Sequence, residues 1–262
     1  MLSLSGCVTT STTASTNSPL VFPGTGTLRQ PSGAGPFPAV VLLHTCAGVA
    51  PHMYEWADRL RDAGYVALIV NSLSSRGVGY NCDTIRVSVD DVAGDALAAL
   101  TYLKGLGFVD PRRIGVMGFS FGGMAGLRLA SAGYLRNRPE AADGAFKAII
   151  SVYPYCVRRD AGRAARLVQY NLYDDIAVPL LILIGGADDH TDPLECAAKA
   201  QALAARGQPV SHKVYPNATH GFDQTSSVGQ RIRGYLYLYD KPATDDAAEE
   251  MRRFFQRHLG AS

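Results

Sequence analysis

Residues 112–126, RRIGVMGFSFGGMAG, set Ser120 between Gly118 and Gly122 where an apolar run gives way to small residues. This is the G-x-S-x-G pattern of a nucleophile elbow, a sharp strand-to-helix turn whose glycines leave space for strained backbone and close helix packing. The bare pattern arises by chance in about one chain in ten of this length, so its context carries the argument. IGVMGF supplies the preceding apolar strand and GGMAG the start of a small-residue helix. That leaves a plain serine in a tight turn as the weaker alternative.

A serine hydroxyl near neutral pH needs a base to accept its proton and a carboxylate to orient that base. In an elbow architecture both follow the serine in the chain. VPLLILIGGADDHTDP ends an apolar run in aspartates, and Asp188 is the preferred acid, with Asp189 the alternative. Asp192 stands better placed to cap the helix that follows Pro193. Among the histidines, His44 and His52 precede the serine, His190 lies in the acid loop, His212 in an alternating strand and His258 on the terminal amphipathic helix. His220, in the loop YPNATHGFD, is left as the base.

Acyl transfer also needs N–H donors aimed at the developing oxyanion. Phe121, directly after the serine, offers one, and the loop LLHTCAGVAP offers the other at Cys46, with Thr45 the alternative. Cys46 as a nucleophile lacks an elbow. Asp188, Asp189, His190 and Asp192 have no recognised metal-ligand spacing, so no metal is expected.

These residues require a scaffold that gathers strand ends. PAVVLLH (38–44), YVALIVN (65–71), RRIGVMGFS (112–120), FKAIISVYP (146–154), VPLLILIGG (178–186) and PVSHKVYP (209–216) read as strands. Helical spacing separates them: Trp56, Leu60 and Ala63; then Val92 through Leu103, with Asp90, Asp91 and Asp95 facing water; then 194–206; and finally 243–259. Residues 21–38 read as one or two early antiparallel strands, and 157–177 reads as too polar for the core. The alternation predicts an α/β protein with a mainly parallel, doubly wound sheet and helices on both faces. Ligands of such sheets sit beyond the carboxyl ends of the strands. One domain over 21–262 is the simplest organisation.

Of the 262 residues 47% are hydrophobic, and the formal net charge is +2 with basic residues scattered, which argues against a nucleic-acid partner. No apolar run approaches a membrane span. LSGC at 4–7 has the form of a lipobox, with Cys7 as the lipidated residue and TTSTTASTNSP as a tether, so 1–20 reads as a disordered leader or lipoprotein tether. The basic and apolar stretches of a signal peptide are missing before Cys7, and an accidental match is the equal alternative. Periplasmic or membrane-anchored placement goes with the first reading, cytoplasmic with the second. Cys46, Cys82, Cys156 and Cys196 form an even set, and their places after strands pair Cys46 with Cys82 and Cys156 with Cys196, against four reduced thiols.

With these residues in place, the chain resembles the dienelactone hydrolase family of the α/β-hydrolase superfamily. The likeness covers residues 24–259 and rests on GPFPAVVLLH, LRDAGYVALIVNSLSSRG, VDPRRIGVMGFSFGG, LLILIGGADD and ATHGFD, in the family's order. It implies the α/β-hydrolase fold, a triad of Ser120, Asp188 and His220, a covalent acyl-enzyme and no cofactor. The namesake enzymes carry cysteine in the elbow, and they bind the lactone carboxylate through arginines. Arg76 resembles one such position, with a structural ion pair as its other reading; where an arginine is expected shortly after the histidine, Gln224 stands. The expected function is therefore a serine hydrolase of small carboxylic esters or lactones. Its alternatives are a polyester or peptide hydrolase with the same triad, and a tethered binding lipoprotein without catalysis.

Overall fold

The computed structural model describes residues 25–136, 138–141, 145–159 and 168–260. The chain runs through β1 (Thr25–Arg29), β2 (Phe37–Leu43), α1 (Pro51–Asp62), β3 (Val66–Asn71), α2 (Val89–Lys104), β4 (Val109–Phe119), α3 (Phe121–Leu129), α4 (Ala132–Arg136) and β5 (Ile149–Val152). It continues with β6 (Val157–Arg159), β7 (Val168–Tyr170), β8 (Leu180–Gly185), α5 (Pro193–Ala205), β9 (Val210–Tyr215), β10 (Val228–Ile232), β11 (Tyr235–Leu238) and α6 (Lys241–Leu259).

Seven strands form one sheet in the order β1-β3-β2-β4-β5-β8-β9. All neighbours are parallel except β1, which pairs antiparallel with β3. The inner parallel strands read as continuous apolar runs because both of their faces are covered, whereas the edge strand β9, VSHKVY, is buried only at its two ends. Along β2, Val41 and Leu43 join the α2, α3 and α5 side chains on one face, while Val40 and Leu42 join Met53, Trp56 and Leu60 of α1 and Phe255 of α6 on the other. This is the period-two alternation of a strand dividing two cores. Fully burying side chains of this size contributes roughly 1.5–3 kcal/mol each.

Local signals set the helix starts. Ser88 and Asp91 form a reciprocal capping box ahead of α2, and the Asp192 side chain accepts the Glu195 amide ahead of α5. Two expectations need correction, and one element is new. Asp95 does not face water: it is 9% exposed, because Arg76 reaches over to it. The segment 157–177 does contribute to the core, through buried Val157, Leu172 and Ile176. The hairpin of β10 and β11 was not anticipated at all. The leader over 1–20 and lipidation at Cys7 lie outside the described residues.

Candidate active site

The carboxyl ends of β2, β4 and β8 face one edge of the sheet, and the chemistry-bearing residues follow them directly. β4 ends at Phe119, and Ser120 takes φ 51° and ψ −108° before α3 begins. A non-glycine residue in this region is strained by roughly 1–3 kcal/mol and persists only where its surroundings hold it. The holding contacts are the Ser120 amide on the Val152 carbonyl (2.9 Å) and the Gly122 amide on the His44 carbonyl (3.0 Å). Close approach explains the glycines: a Cβ on Gly122 would stand 2.3 Å from the Leu43 carbonyl oxygen, and one on Gly118 would stand 2.2 Å from that of Gly122.

Ser120, Asp188 and His220 are all buried. His220 Nε2 lies 2.9 Å from Ser120 Oγ, and Nδ1 lies 2.7 Å from Asp188 Oδ2. Asp188 Oδ1 accepts the backbone amides of His190 and Thr191 (2.8 and 2.9 Å). Burial alone would raise the Asp188 pKa, but the His220 ring and the hydrogen bonds from Thr191 outweigh it and hold the carboxyl below its usual value. An ionised Asp188 keeps the proton on Nδ1, which leaves Nε2 to accept from the serine. Asp189 is turned away. It accepts the Leu236 amide (3.0 Å) and an Arg231 N–H (3.2 Å), so it holds the β10–β11 hairpin and does not touch His220.

The loop after β2 is built from buried polar contacts. The His44 ring is within 2.6 Å of the Thr45 carbonyl through Nδ1, and Nε2 accepts the Ser72 amide (3.1 Å). Burial lowers its pKa, consistent with a neutral ring in which Nδ1 donates. Cys46 is disulfide-bonded to Cys82, and its carbonyl accepts the Asn81 amide at 2.9 Å. The buried Asn81 side chain donates to the Val87 carbonyl and accepts the Arg86 and Val87 amides. Phe121 opens α3, whose first amides have no carbonyl partner within the helix. The second disulfide joins Cys156 to Cys196.

Arg76 donates to the Ser72 carbonyl (2.8 Å) and, through two nitrogens, to the Asp95 carboxylate (2.7 and 2.9 Å). Of its two expected roles this is the ion pair. Among the described residues no group of three or more His, Cys, Asp or Glu side chains is arranged to hold a metal ion.

Sequence reasoning missed the surroundings of His220. Tyr153, at φ 38°, packs its ring 4.8 Å from the His220 ring and donates to Asp223 (2.7 Å), which also accepts Trp56 Nε1–H (2.7 Å). Burial, reinforced by Asp223, pushes the Tyr153 hydroxyl well above its usual pKa, so it stays a donor. His190, Tyr155, Tyr235 and Tyr237 form a second group of rings. The signal for the hairpin was present: RIRGYLYLY places an Arg-Gly turn before strict alternation.

A sequence model of the dienelactone hydrolase family matches residues 25–259. The chain belongs to the dienelactone hydrolase family. Two relatives carry the name "Putative carboxymethylenebutenolidase". The one from Methylorubrum extorquens is 29% identical over 74% of this chain and 66% of its own length. The one from Synechocystis is 26% identical over 89% of this chain and 92% of its own. Among solved structures, a "Putative Dienelactone Hydrolase" from Klebsiella pneumoniae superposes with a TM-score of 0.69 at 20% identity, covering 90% of this chain and 96% of that one. That likeness speaks for the fold: this member of the family has the α/β-hydrolase architecture, and by family it is a hydrolase.

Proposed function

We propose that the chain is a serine hydrolase that cleaves uncharged carboxylic esters or lactones through an acyl-enzyme. The observation that carries this reading is the unbroken path from Ser120 Oγ through His220 to Asp188, at 2.9 and 2.7 Å. His220 Nε2 takes the hydroxyl proton as Oγ bonds to the acyl carbon. The charge that gathers on the carbonyl oxygen is met by the Phe121 and Cys46 amides. As the carbonyl re-forms, the C–O bond to the leaving alkoxide breaks, and that oxygen takes the proton from His220. A water molecule then attacks the acyl carbon, passing its proton to His220. Collapse releases the carboxylic acid and returns the proton to Ser120. Asp188 stays ionised and stabilises the imidazolium at both stages.

An uncharged substrate is favoured because Arg76 is already paired with Asp95, and Gln224 occupies the place where the namesake enzymes have an arginine. The two disulfides favour work in an oxidising compartment. A panel of short acyl esters and lactones, with labelling by a fluorophosphonate probe, tests the reading. Ser120→Ala should lose turnover and labelling while its melting temperature stays within about 2 °C. Turnover that survives the substitution would overturn the assignment.

A further inference from the structure

His220 is held through both ring nitrogens, by Asp188 on one side and Ser120 on the other. Those bonds leave the ring free to tilt about the line joining them, and histidine χ2 sits in a broad, soft well. Ring packing must supply the remaining restraint. Tyr153 provides one contact from the core. A closer one comes from His190, whose ring centre lies 4.7 Å from that of His220 at an interplanar angle of 69°.

His190 is itself fixed from several elements. Tyr235 of β11 stacks on it at 4.0 Å and 23°, and Tyr155, which follows β5, meets it edge-on at 5.4 Å. The Tyr237 hydroxyl lies 3.0 Å from His190 Nδ1, and the Tyr237 ring also meets His220 edge-on at 5.6 Å. The His190 amide donates to Asp188, so this one residue touches the acid through its backbone and the base through its ring. Its neighbour Asp189 grips the hairpin at Leu236, which keeps Tyr235 and Tyr237 in place.

We propose that the His190 side chain is a positioning residue for His220: wedged against Tyr235 and held by the Tyr237 hydroxyl, its ring keeps the His220 imidazole between Ser120 and Asp188 and couples both to the β10–β11 hairpin. The electrostatics agree with this role. Burial, aided by His220 and Arg233 and opposed by Asp188 and Asp189, lowers the His190 pKa to about 4. Burial raises the Tyr237 hydroxyl to about 12, so it remains a donor and His190 Nδ1 the acceptor. Burial likewise pushes the Tyr155 hydroxyl up, so it adds no charge in this range. His190 therefore stays neutral beside a ring that must become an imidazolium in each half-reaction, and adds no repulsion to that step.

The kinetic part of the test rests on the serine-hydrolase reading; the spectroscopic part does not. His190→Ala should lower kcat by about tenfold to a hundredfold with KM little changed, the scale expected when a catalytic group is displaced by a fraction of an ångström to an ångström. His190→Phe restores a ring and should recover most of that loss. Tyr237→Phe, which keeps its ring but releases Nδ1, should fall between them. His190→Lys places a cation beside His220 and should shift the acid limb of the kcat/KM profile to lower pH. NMR titration of His220 in the resting protein should show a matching fall in the lysine variant. In the alanine variant it should show a rise, because water reaching the ring favours its charged form. Identical kcat, acid limb and His220 titration across these variants would overturn the proposal. Shifts of the His220 titration between variants in these directions, together with a wild type that turns over no ester, would overturn the hydrolase reading alone.

Discussion

The Asp188 carboxylate meets His220 through one oxygen only: Oδ2 stands 2.7 Å from Nδ1, while Oδ1 is taken by the amides of residues 190 and 191. That division lets the loop hold the carboxylate in place without competing for the oxygen that orients the histidine. Asp189, one residue on, is half-exposed and bound to the hairpin.

Asp188→Asn should therefore behave differently from Asp189→Asn. The first offers an amide where a carboxylate oriented Nδ1–H and favours the wrong histidine tautomer. A fall in kcat of about 10³–10⁴-fold is expected, with KM little changed. The second weakens an exposed ion pair worth under about 1 kcal/mol and should retain most turnover. Steady-state kinetics on one ester decide it, and equal losses would assign the acid wrongly.

Two glycine-to-alanine changes separate close approach from helix propensity. Gly122→Ala drives a Cβ against the Leu43 and His44 carbonyls, at 2.3 and 2.7 Å. It should destabilise by about 3 kcal/mol or more and distort the elbow. Gly94 in α2 has nothing within 4 Å of its added Cβ. Gly94→Ala should stabilise by roughly 0.5–1 kcal/mol. Urea denaturation of both variants measures the contrast.

Acid should weaken the fold in two stages. His44 and His190 sit below the imidazole value of 6.5, so the unfolded chain takes up protons first. Stability falls as pH drops below about 6.5, and for His190 the loss is complete near its folded value of about 4. Asp188 is depressed below 3.8, so its contribution is full above that value and disappears as pH falls through the lower folded one. Urea midpoints measured from pH 7 to 3 should decline throughout, and His190→Phe should flatten part of the upper stage. Midpoints unchanged between pH 6.5 and 4 would contradict the histidine assignments.

The disulfides close loops of similar length, with separations of 36 and 40 residues. Loop-closure entropy predicts about 4 kcal/mol for either. Catalysis should tell them apart. Removing Cys46–Cys82 with paired alanines loosens the loop that presents the Cys46 amide, and should lower kcat by about tenfold or more at temperatures where the protein stays folded. Removing Cys156–Cys196 should lower the melting temperature with a smaller effect on kcat. Equal kinetic effects would separate Cys46 from the oxyanion site.

Much of the scaffold was legible because it obeys local rules. Apolar runs in β2, β3, β4 and β8 are continuous since parallel strands are buried on both faces, and α2 announces itself through spacing and its Ser88 cap. The hairpin was harder to see. Its strands are short, largely exposed and outside the main sheet, so they carry no long apolar pattern. Asp95 misled for a related reason: helical spacing places it among the polar positions of α2, but Arg76 arrives from a distant loop to bury it.

The sequence by itself determined the alternation of the main-sheet strands with their helices, the elbow around Ser120, and a short set of candidates for acid and base, because these depend on spacing and on residues adjacent in the chain. Only the tertiary structure set Asp188 and not Asp189 against His220, paired Arg76 with Asp95, and placed His190 beside His220. Each of those choices depends on the direction of a side chain toward a partner at least 19 residues away in sequence, as for Arg76 and Asp95. Such directions come from how the loops cross the sheet edge, which no local pattern encodes.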